Sequence, residues 1–446
     1  MPNSYLNRTQ EAATNRKKCT LSMWFKTTDS FGTRDYQLWE TFYSASDRIT
    51  VYIDSSDRLN WIDPSVSPGV HVGTNRKFRD PNAWYHVVFQ IDTTESTASD
   101  RIKIYVNGVQ ETSLHSSTYY DQNDDAAFGT TNHINYIGKY GGNTNNNYNG
   151  YMSHVAFVDG SVVAPTVFGE TDSTSGIWKF KPPSGVTWGN CGTHLKFENS
   201  AALGTDSSGN SNTFTVNGDL KQALDTPSNV YCTGNPLARY GGNLNYTNGN
   251  NFITGGGNNW TMGSATMGAS TGKYYYELKI LSAGTGSGYF KMGFQSADQS
   301  YANTGHTAES ALDASYAFYC QNGNLEVRTD GAVISGYDTS TLGVSFSMND
   351  IMCLAIDMDN KKAYFRKNGD AWIKSADPVN GTNGLDVSSE YPAGKGMVPN
   401  FAIYYPGTAA LNFGNGYFGT TAITSAGSNG NGSLFEYDVP SGYYAL

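Results

Sequence analysis

"KKAYFRKNGDAW", residues 361–372, decides the fold class. It reads as a strand, an Asn-Gly turn and the start of a second strand. Asn-Gly between strand-like runs is a strong hairpin signal, because a type I′ turn needs positive φ at both central residues. The phrase is written twice, since "RIKIYVNGVQ" occupies residues 101–110. Before that earlier copy, "WYHVVFQID" (84–92) alternates, with Tyr85, Val87, Phe89 and Ile91 on one face. The polar turn "TTESTASD" follows, and Ile102, Ile104 and Val106 share the next apolar face. The later copy runs the same way, from "IMCLAID" (351–357) through "MDNKK" and "AYFRK" to Asn368-Gly369. Each copy is a three-strand meander.

A second echo ties these meanders to larger modules. "WKFKPPSG" (178–185) matches "FEYDVPSG" (435–442) in its alternating aromatics and its Pro-Ser-Gly end. Each lies after a set of strands, as if it closes a module. Elsewhere short runs rich in Val, Ile, Tyr, Phe and Thr are cut by Gly, Asn and Asp, which is the pattern of a sandwich or barrel. Helical periodicity is nearly absent; "RTQEAATNRKK" (8–18) has the make-up for a turn or two of helix. The expected fold is all-β, two antiparallel β-sandwiches in tandem. The expected boundaries are 1–218, a Pro/Gly-rich connector at 219–238, a second sandwich at 239–418 and a closing tail at 419–446.

Composition narrows the function. The 446 residues suffice for two domains of ordinary size. Charged residues are 15% and the net charge is −10. Solubility therefore comes from Asn, Ser, Thr and Gly, and no basic stripe exists to gather a nucleic-acid backbone. No 18-residue apolar run predicts a membrane span. "MPNSYLNRTQEAATNRKKC" lacks the apolar core of a signal peptide, so export by that route is not expected. Five cysteines without a C-x-x-C pair argue against a disulfide framework and fit assembly in a reducing cytoplasm.

The order of phrases resembles known families. "SYLNRT" (4–9), "CTLSMWFKTT" (19–28), "WYHVVFQID", "IKIYVNGVQ", "INYIGKYGG…YNGYMSHVAFVDG" (134–160) and "LKFENSAALGTDSSGNSNTFTVNG" (195–218) are similar to successive strands of a laminin-G-like, concanavalin A-like jelly roll. The variety is one common in structural proteins of tailed phages. "GKYYYELKI" (272–280), "YFKMGFQ" (289–295), "YAFYCQNGNLEV" (316–327), the 351–372 run and "MVPNFAIYYPGTAALNFG" (397–414) resemble a SPRY domain. Both resemblances imply two-sheet sandwiches.

Chemistry-bearing motifs are sparse. A glycoside hydrolase needs two facing carboxyl groups. The E-x-D-x-x-E strand pattern of such enzymes on this fold is absent, and Asp357 and Asp359 sit at a turn. "GASTG" (268–272) fits G-x-S-x-G, but a strand follows where a nucleophile elbow needs a helix. The seven histidines show no metal-ligand spacing.

The resemblance implies binding. Laminin-G-like domains often hold Ca2+, and the candidate ligands are Asp121, Asp124 and Asp125 in "DQNDD", and Asp206 with Asn210 and Asn212. The bland reading is a solvated loop, with Asp206 capping its own turn. For a glycan, Trp61, Tyr140, Asn143, Asn145 and Tyr148 have the right chemistry, although Trp61 fits a core strand equally well. SPRY domains recognise proteins through end loops, which implicates 296–310 and 329–343, with Tyr301, His306 and Tyr337. The expected function is non-enzymatic: a virion protein, a tail fibre or spike part recognising host-surface glycan or protein. Other virion proteins are expected partners, and a trimer is expected by analogy with fibres. The alternatives are a capsid decoration or fibre spacer with assembly duties alone, and a carbohydrate-cleaving enzyme.

Overall fold

The structure is a computed structural model. It describes residues 4–28, 32, 34–142, 146–240, 244–256, 260–282, 289–298, 315–321, 324–329, 332–404 and 406–446. The chain forms two compact units: Met1–Gln222 with Thr226–Val230, and Ala223–Asp225 with Tyr231–Leu446.

The first unit is a two-sheet antiparallel sandwich. One sheet runs, in spatial order, Leu114–Thr118, Val70–Lys77, Arg58–Asp63, Asp47–Ile53, Tyr36–Ser44, Ile134–Ile137, Tyr5–Thr9 and Thr215–Asn217. The other runs Thr193–Leu195, Gly150–Asp159, Lys18–Thr27, Tyr85–Asp92, Ile102–Val106 and Val109–Gln110. Alternation puts every second side chain inward. Val87, Phe89, Ile91, Ile102, Ile104 and Val106 meet Trp39, Val51, Trp61, Val72 and Ile137 in one core. Burying a side chain such as Phe89 fully contributes roughly 1.5–3 kcal/mol.

The second unit repeats the plan. One sheet runs Gly234–Tyr240, Trp260–Ala265, Met397–Tyr404, Tyr289–Ser296, Tyr316–Gln321, Asn324–Thr329 and Ala332–Val333. The other runs Asn245–Thr247, Phe252–Thr254, Thr408–Asn412, Lys273–Ser282, Ile351–Asp357, Lys362–Lys367 and Leu385–Asp386. The core lies between Leu278, Met352, Leu354 and Phe365 on one side and Phe290, Met292, Phe318 and Phe401 on the other.

The two Asn-Gly pairs share a contact but not a hairpin: Val109–Gln110 returns to pair with Ile102–Val106 and Gly108 has a φ of 79°, whereas the strand expected after Asn368-Gly369 is absent, the next being Leu385–Asp386, and Gly369 is not left-handed. Asn107 and Asn368 have φ of 49° and 50°. The Asn107 Oδ1 accepts the His86 amide at 2.9 Å, and the Asn368 Oδ1 accepts the Ile351 amide at 2.7 Å. In each case the asparagine side chain caps the first strand of its own meander.

The Pro-Ser-Gly echo is a strap. In the first unit Trp178–Phe180 pairs with Gly169–Thr171. Phe168, Val163, Val167 and Trp188 cover Ala156 and Val158, on the outward face of the six-stranded sheet. In the second unit Phe435, Val439 and Tyr443 cover Tyr275, Cys353 and Ala355, on the outward face of the sheet that holds the hairpin. The buried carboxylate of Glu277 fixes this second strap. It accepts the amides of Glu436 and Tyr437, each at 3.0 Å, and the Tyr275 hydroxyl at 2.9 Å.

The helix expected over 8–18 is absent. Tyr5–Thr9 pairs instead with Ile134–Ile137 and Thr215–Asn217. Beyond it, the Ala13 amide bonds Gly129 and the Thr14 amide bonds the Asp159 carboxylate at 2.7 Å. Backbone donors that a helix would satisfy locally go to distant partners. Gly234–Tyr240, which begins inside the span expected as connector and runs past its end, is a strand paired with Trp260–Ala265. All five cysteines are buried as thiols, with no disulfide among them. Among the described residues no helix is long and apolar enough to cross a membrane.

Candidate functional site

The straps take one sheet of each unit. The best candidate site lies on the other sheet of the first unit. Leu6, Trp39, Val51 and Ile137 point into the core, so their neighbours Tyr5, Glu40, Thr50 and Tyr136 face outward. Register brings them together, with Tyr136 opposite Glu40 and Glu40 opposite Thr50.

The rings of Tyr5 and Tyr136 lie 5.9 Å apart, with the Lys139 ammonium 4.1 Å from the Tyr5 centroid. Beside them Tyr140 packs edge-on against Phe42 at 5.9 Å, and the Arg48 guanidinium stands 5.6 Å from the Tyr140 ring. Tyr5, Tyr136 and Tyr140 are each half-buried, so their rings are anchored while still reaching the surface.

Glu40 underpins this shelf at 0% exposure. Its carboxylate accepts the Thr50 hydroxyl at 3.0 Å and the Gly141 amide, which holds the Tyr140 turn onto the sheet. Burial raises its pKa to about 7, against the pull of those two donors and of Arg48. Burial also raises the Tyr136 phenol, with Tyr5 and Glu40 adding to it. Aromatic faces flanked by cations and one carboxyl suit a sugar ring, which offers an apolar face and a rim of hydroxyls.

Among the described residues named from sequence, Tyr140 alone falls in this cluster. Trp61 is 1% exposed, donates its Nε1–H to the Tyr120 hydroxyl at 3.3 Å and packs on Phe89. It is a core residue and presents no face to a sugar. Tyr148 donates its hydroxyl to the Lys26 carbonyl at 2.7 Å and sets its ring edge-on to Phe25, so it anchors the 146–150 segment. Asn143 and Asn145 lie outside the described residues, as do Tyr301 and His306. Tyr337 is 9% exposed and belongs to the core of the second unit, with the Lys374 ammonium 4.4 Å from its ring. It is no exposed loop contact.

The calcium candidates do not fit a cation. Asp206 Oδ1 accepts the amides of His194 and Ser208 at 2.8 and 2.9 Å. Its Oδ2 accepts the Asn212 amide at 2.8 Å and the Ser208 hydroxyl at 2.7 Å. Four donors already occupy this carboxylate. Asn210 and Asn212 point their amide nitrogens, not oxygens, at neighbouring carbonyls, and the Asn212 oxygen takes an Arg8 N–H. Asp124 caps the Asp121 amide, and Asp125 pairs with Lys17 at 2.9 Å. Among the described residues no three His, Cys, Asp or Glu side chains group as metal ligands.

The turn carboxylates are structural too. Asp357 holds the Asn360 amide at 2.9 Å and Lys273 at 3.0 Å, and Asp359 caps Gly272. Tyr5, Glu40 and Tyr136 escaped the sequence reading. In "INYI" the apolar Ile134 and Tyr136 alternate with Asn135, which would turn Tyr136 inward; the structure buries Asn135 and Ile137 instead and leaves Tyr136 half-buried on the outward face.

Among curated proteins none matches the chain. Among solved structures, the SPRY domain of human HERC1 aligns over 40% of this chain and 96% of its own, at 16% identity and TM-score 0.29. The TRIM65 PSpry domain aligns over 41% and 88%, at 13% identity and TM-score 0.29. A heptameric SAP-like pentraxin from Limulus polyphemus aligns over 36% and 71%, at 16% identity and TM-score 0.27. Residues 3–168 match the Laminin_G_3 family model of the Concanavalin A-like lectin/glucanases superfamily, so the sandwich that carries the Tyr5–Tyr136–Tyr140 shelf is similar to that superfamily's jelly roll.

Proposed function

We propose that the chain is a non-enzymatic recognition protein of a tailed-phage virion, a fibre or spike component that holds host-surface glycan or protein. The observation that carries this reading is the half-buried tyrosine shelf beside Glu40 and Arg48, on the outward face of a lectin-type sandwich. Hydrolysis of a glycoside needs an acid and a second carboxylate several ångströms away. The charge that acts on Glu40 is a cation, Arg48, and at 0% exposure Glu40 supports the shelf from beneath and does not reach a glycosidic oxygen. The phage setting rests on the likeness of residues 1–218 to structural proteins of such particles and on the weakly charged, Asn/Gly-rich composition. Two recognition units per chain, and several chains per particle, convert weak single contacts into avid attachment.

The test is binding of the fluorescently labelled full-length protein to candidate host cells, native against Tyr136→Ala and Tyr140→Ala. The expected result is at least a tenfold loss for either variant with circular dichroism unchanged. Native protein that ignores host cells and host glycans, even when multimerised, would replace adhesion with the assembly-only reading.

A further inference from the structure

Lys139, at the Tyr5 end of the tyrosine shelf, differs from other lysines of the first unit, which end on carboxylates. Lys18 reaches Asp92 at 2.8 Å, Lys17 reaches Asp125 at 2.9 Å and Lys179 reaches Asp172 at 3.0 Å. The Lys139 ammonium lies instead 4.1 Å from the Tyr5 ring centroid and 5.6 Å from that of Tyr136. Among the described residues no oxygen accepts a hydrogen bond from it. The residue is half-buried, so its side chain keeps a share of the surface. An aromatic face attracts a cation but does not take up its three N–H donors as a carboxylate does. On a chain of net charge −10, a lysine held by two tyrosines and by no carboxylate is placed for an anion that comes from outside.

Arg48, farther along the shelf, is already engaged. Its Nε donates to the Thr50 hydroxyl at 3.2 Å and stands 4.0 Å from the Glu40 carboxylate. Selection for charge therefore falls on Lys139. The rim around it is neutral. Asn7 lies opposite Tyr136 and Thr215, and Asn217 lies opposite Tyr5, which puts both amides on the face of the shelf. Asn217 Nδ2 donates to Asn7 Oδ1 at 2.7 Å. The Nδ2 of half-buried Asn7 has no acceptor among the described residues, and the Tyr5 and Tyr136 hydroxyls make no hydrogen bond there.

We propose that this end of the shelf takes an acidic pyranoside. Its carboxylate meets the Lys139 ammonium, which the Tyr5 ring holds in place. Its apolar face lies on Tyr136, and its hydroxyls meet the Asn7 amide and the tyrosine hydroxyls. The inference rests on the adhesion reading of the shelf and adds the ligand class.

The experiment is calorimetric titration of the full-length chain with sialyllactose and with trigalacturonate, lactose serving as the neutral control, run beside the host-cell binding assay. The native chain is expected to bind at least one acidic probe roughly tenfold more tightly than lactose, and more weakly as salt rises. Lys139→Gln should bring that probe down to the level of lactose, and Lys139→Arg, which keeps the charge, should retain most of the binding. Lys77→Gln removes an exposed lysine of the same sheet, outside the shelf, and should change nothing, which separates a site from overall charge. An acidic probe that binds no better than lactose, or that binds Lys139→Gln as well as the native chain, overturns the proposal. Host-cell binding that persists in that case leaves adhesion standing, whereas a Lys139-dependent acidic probe without host-cell binding would sink adhesion and keep the site.

Discussion

Trp178 donates its indole N–H to Nδ1 of His86 at 3.0 Å. An indole nitrogen is only a donor. Nδ1 must therefore accept, and the imidazole proton sits on Nε2, 2.8 Å from the Ser22 hydroxyl. The ring is also stacked on Trp24 at 4.7 Å. Protonating His86 would break the bond that ties the strap to the six-stranded sheet.

Acid is thus expected to loosen the first unit. Burial, with His154 nearby, lowers the His86 pKa to about 3. A histidine whose folded value is depressed binds fewer protons folded than unfolded, so stability is full above about 6.5 and is lost as pH falls toward 3. The slope for one such group is about 1.4 kcal/mol per pH unit. His154 and His194 shift the same way, to about 3 and about 4. Denaturant unfolding followed by tryptophan fluorescence should show the midpoint falling from pH 7 to pH 4, with a smaller fall in His86→Phe. Equal pH slopes in the two proteins would refute the role of His86.

The two Asn-Gly turns should differ in their tolerance of a side chain. A Cβ built on Gly108 would lie 2.5 Å from the Trp178 ring, at a φ of +79°. On Gly369 the nearest atom is in the Tyr437 ring, at 3.1 Å. Gly108→Ala therefore meets backbone strain and displaces the indole that bonds His86. It is expected to destabilise by on the order of 2 kcal/mol, and Gly369→Ala by clearly less. Unfolding midpoints of the two variants decide this, and a larger loss at Gly369 would contradict it.

These turns show how far local sequence carries. Asn107-Gly108 and the alternation of 84–92 declare themselves, because turn chemistry and period-two burial are local, whereas Ile351–Asp357 is buried on both faces and no strand follows Asn368-Gly369 until Leu385–Asp386. The Pro-Ser-Gly echo was legible as a repeat but not as a strap, since the face it covers belongs to strands dozens of residues away. The site was less legible still. Tyr140 stood out by composition. Its neighbours Tyr5, Phe42, Arg48 and Tyr136 come from four separate strands, and only register joins them. Trp61 and Asp206 misled for one reason: ligand-like side chains are also what a core and a tight turn use.

Calcium chelation should leave the first unit unmoved. Asp206 already accepts two donors on each oxygen, and a cation would have to displace them. Thermal unfolding with and without EDTA is expected to coincide, while Asp206→Ala lowers stability by about 2–3 kcal/mol through its orphaned amides. A calcium-dependent rise in melting temperature that Asp206→Ala abolishes would reverse this reading.

Glu40 gives the pH test of the shelf, and its sign is opposite to that of His86. Its folded pKa is raised from 4.5 to about 7, chiefly by burial. The folded state therefore binds the extra proton between those values. The contribution of Glu40 to stability is largest below 4.5 and falls as pH rises to about 7, by roughly 3 kcal/mol in all. Glu40→Gln removes this dependence while keeping an oxygen for the Gly141 amide. The native-minus-variant difference in unfolding free energy should decline from pH 4.5 to 7 and be flat above, and a difference constant across that range would show that Glu40 is not the titrating group. The same variant should leave the Tyr140 turn in place, so glycan binding that matches native below pH 7 and differs above it would trace to the ionised carboxylate rather than to a displaced ring.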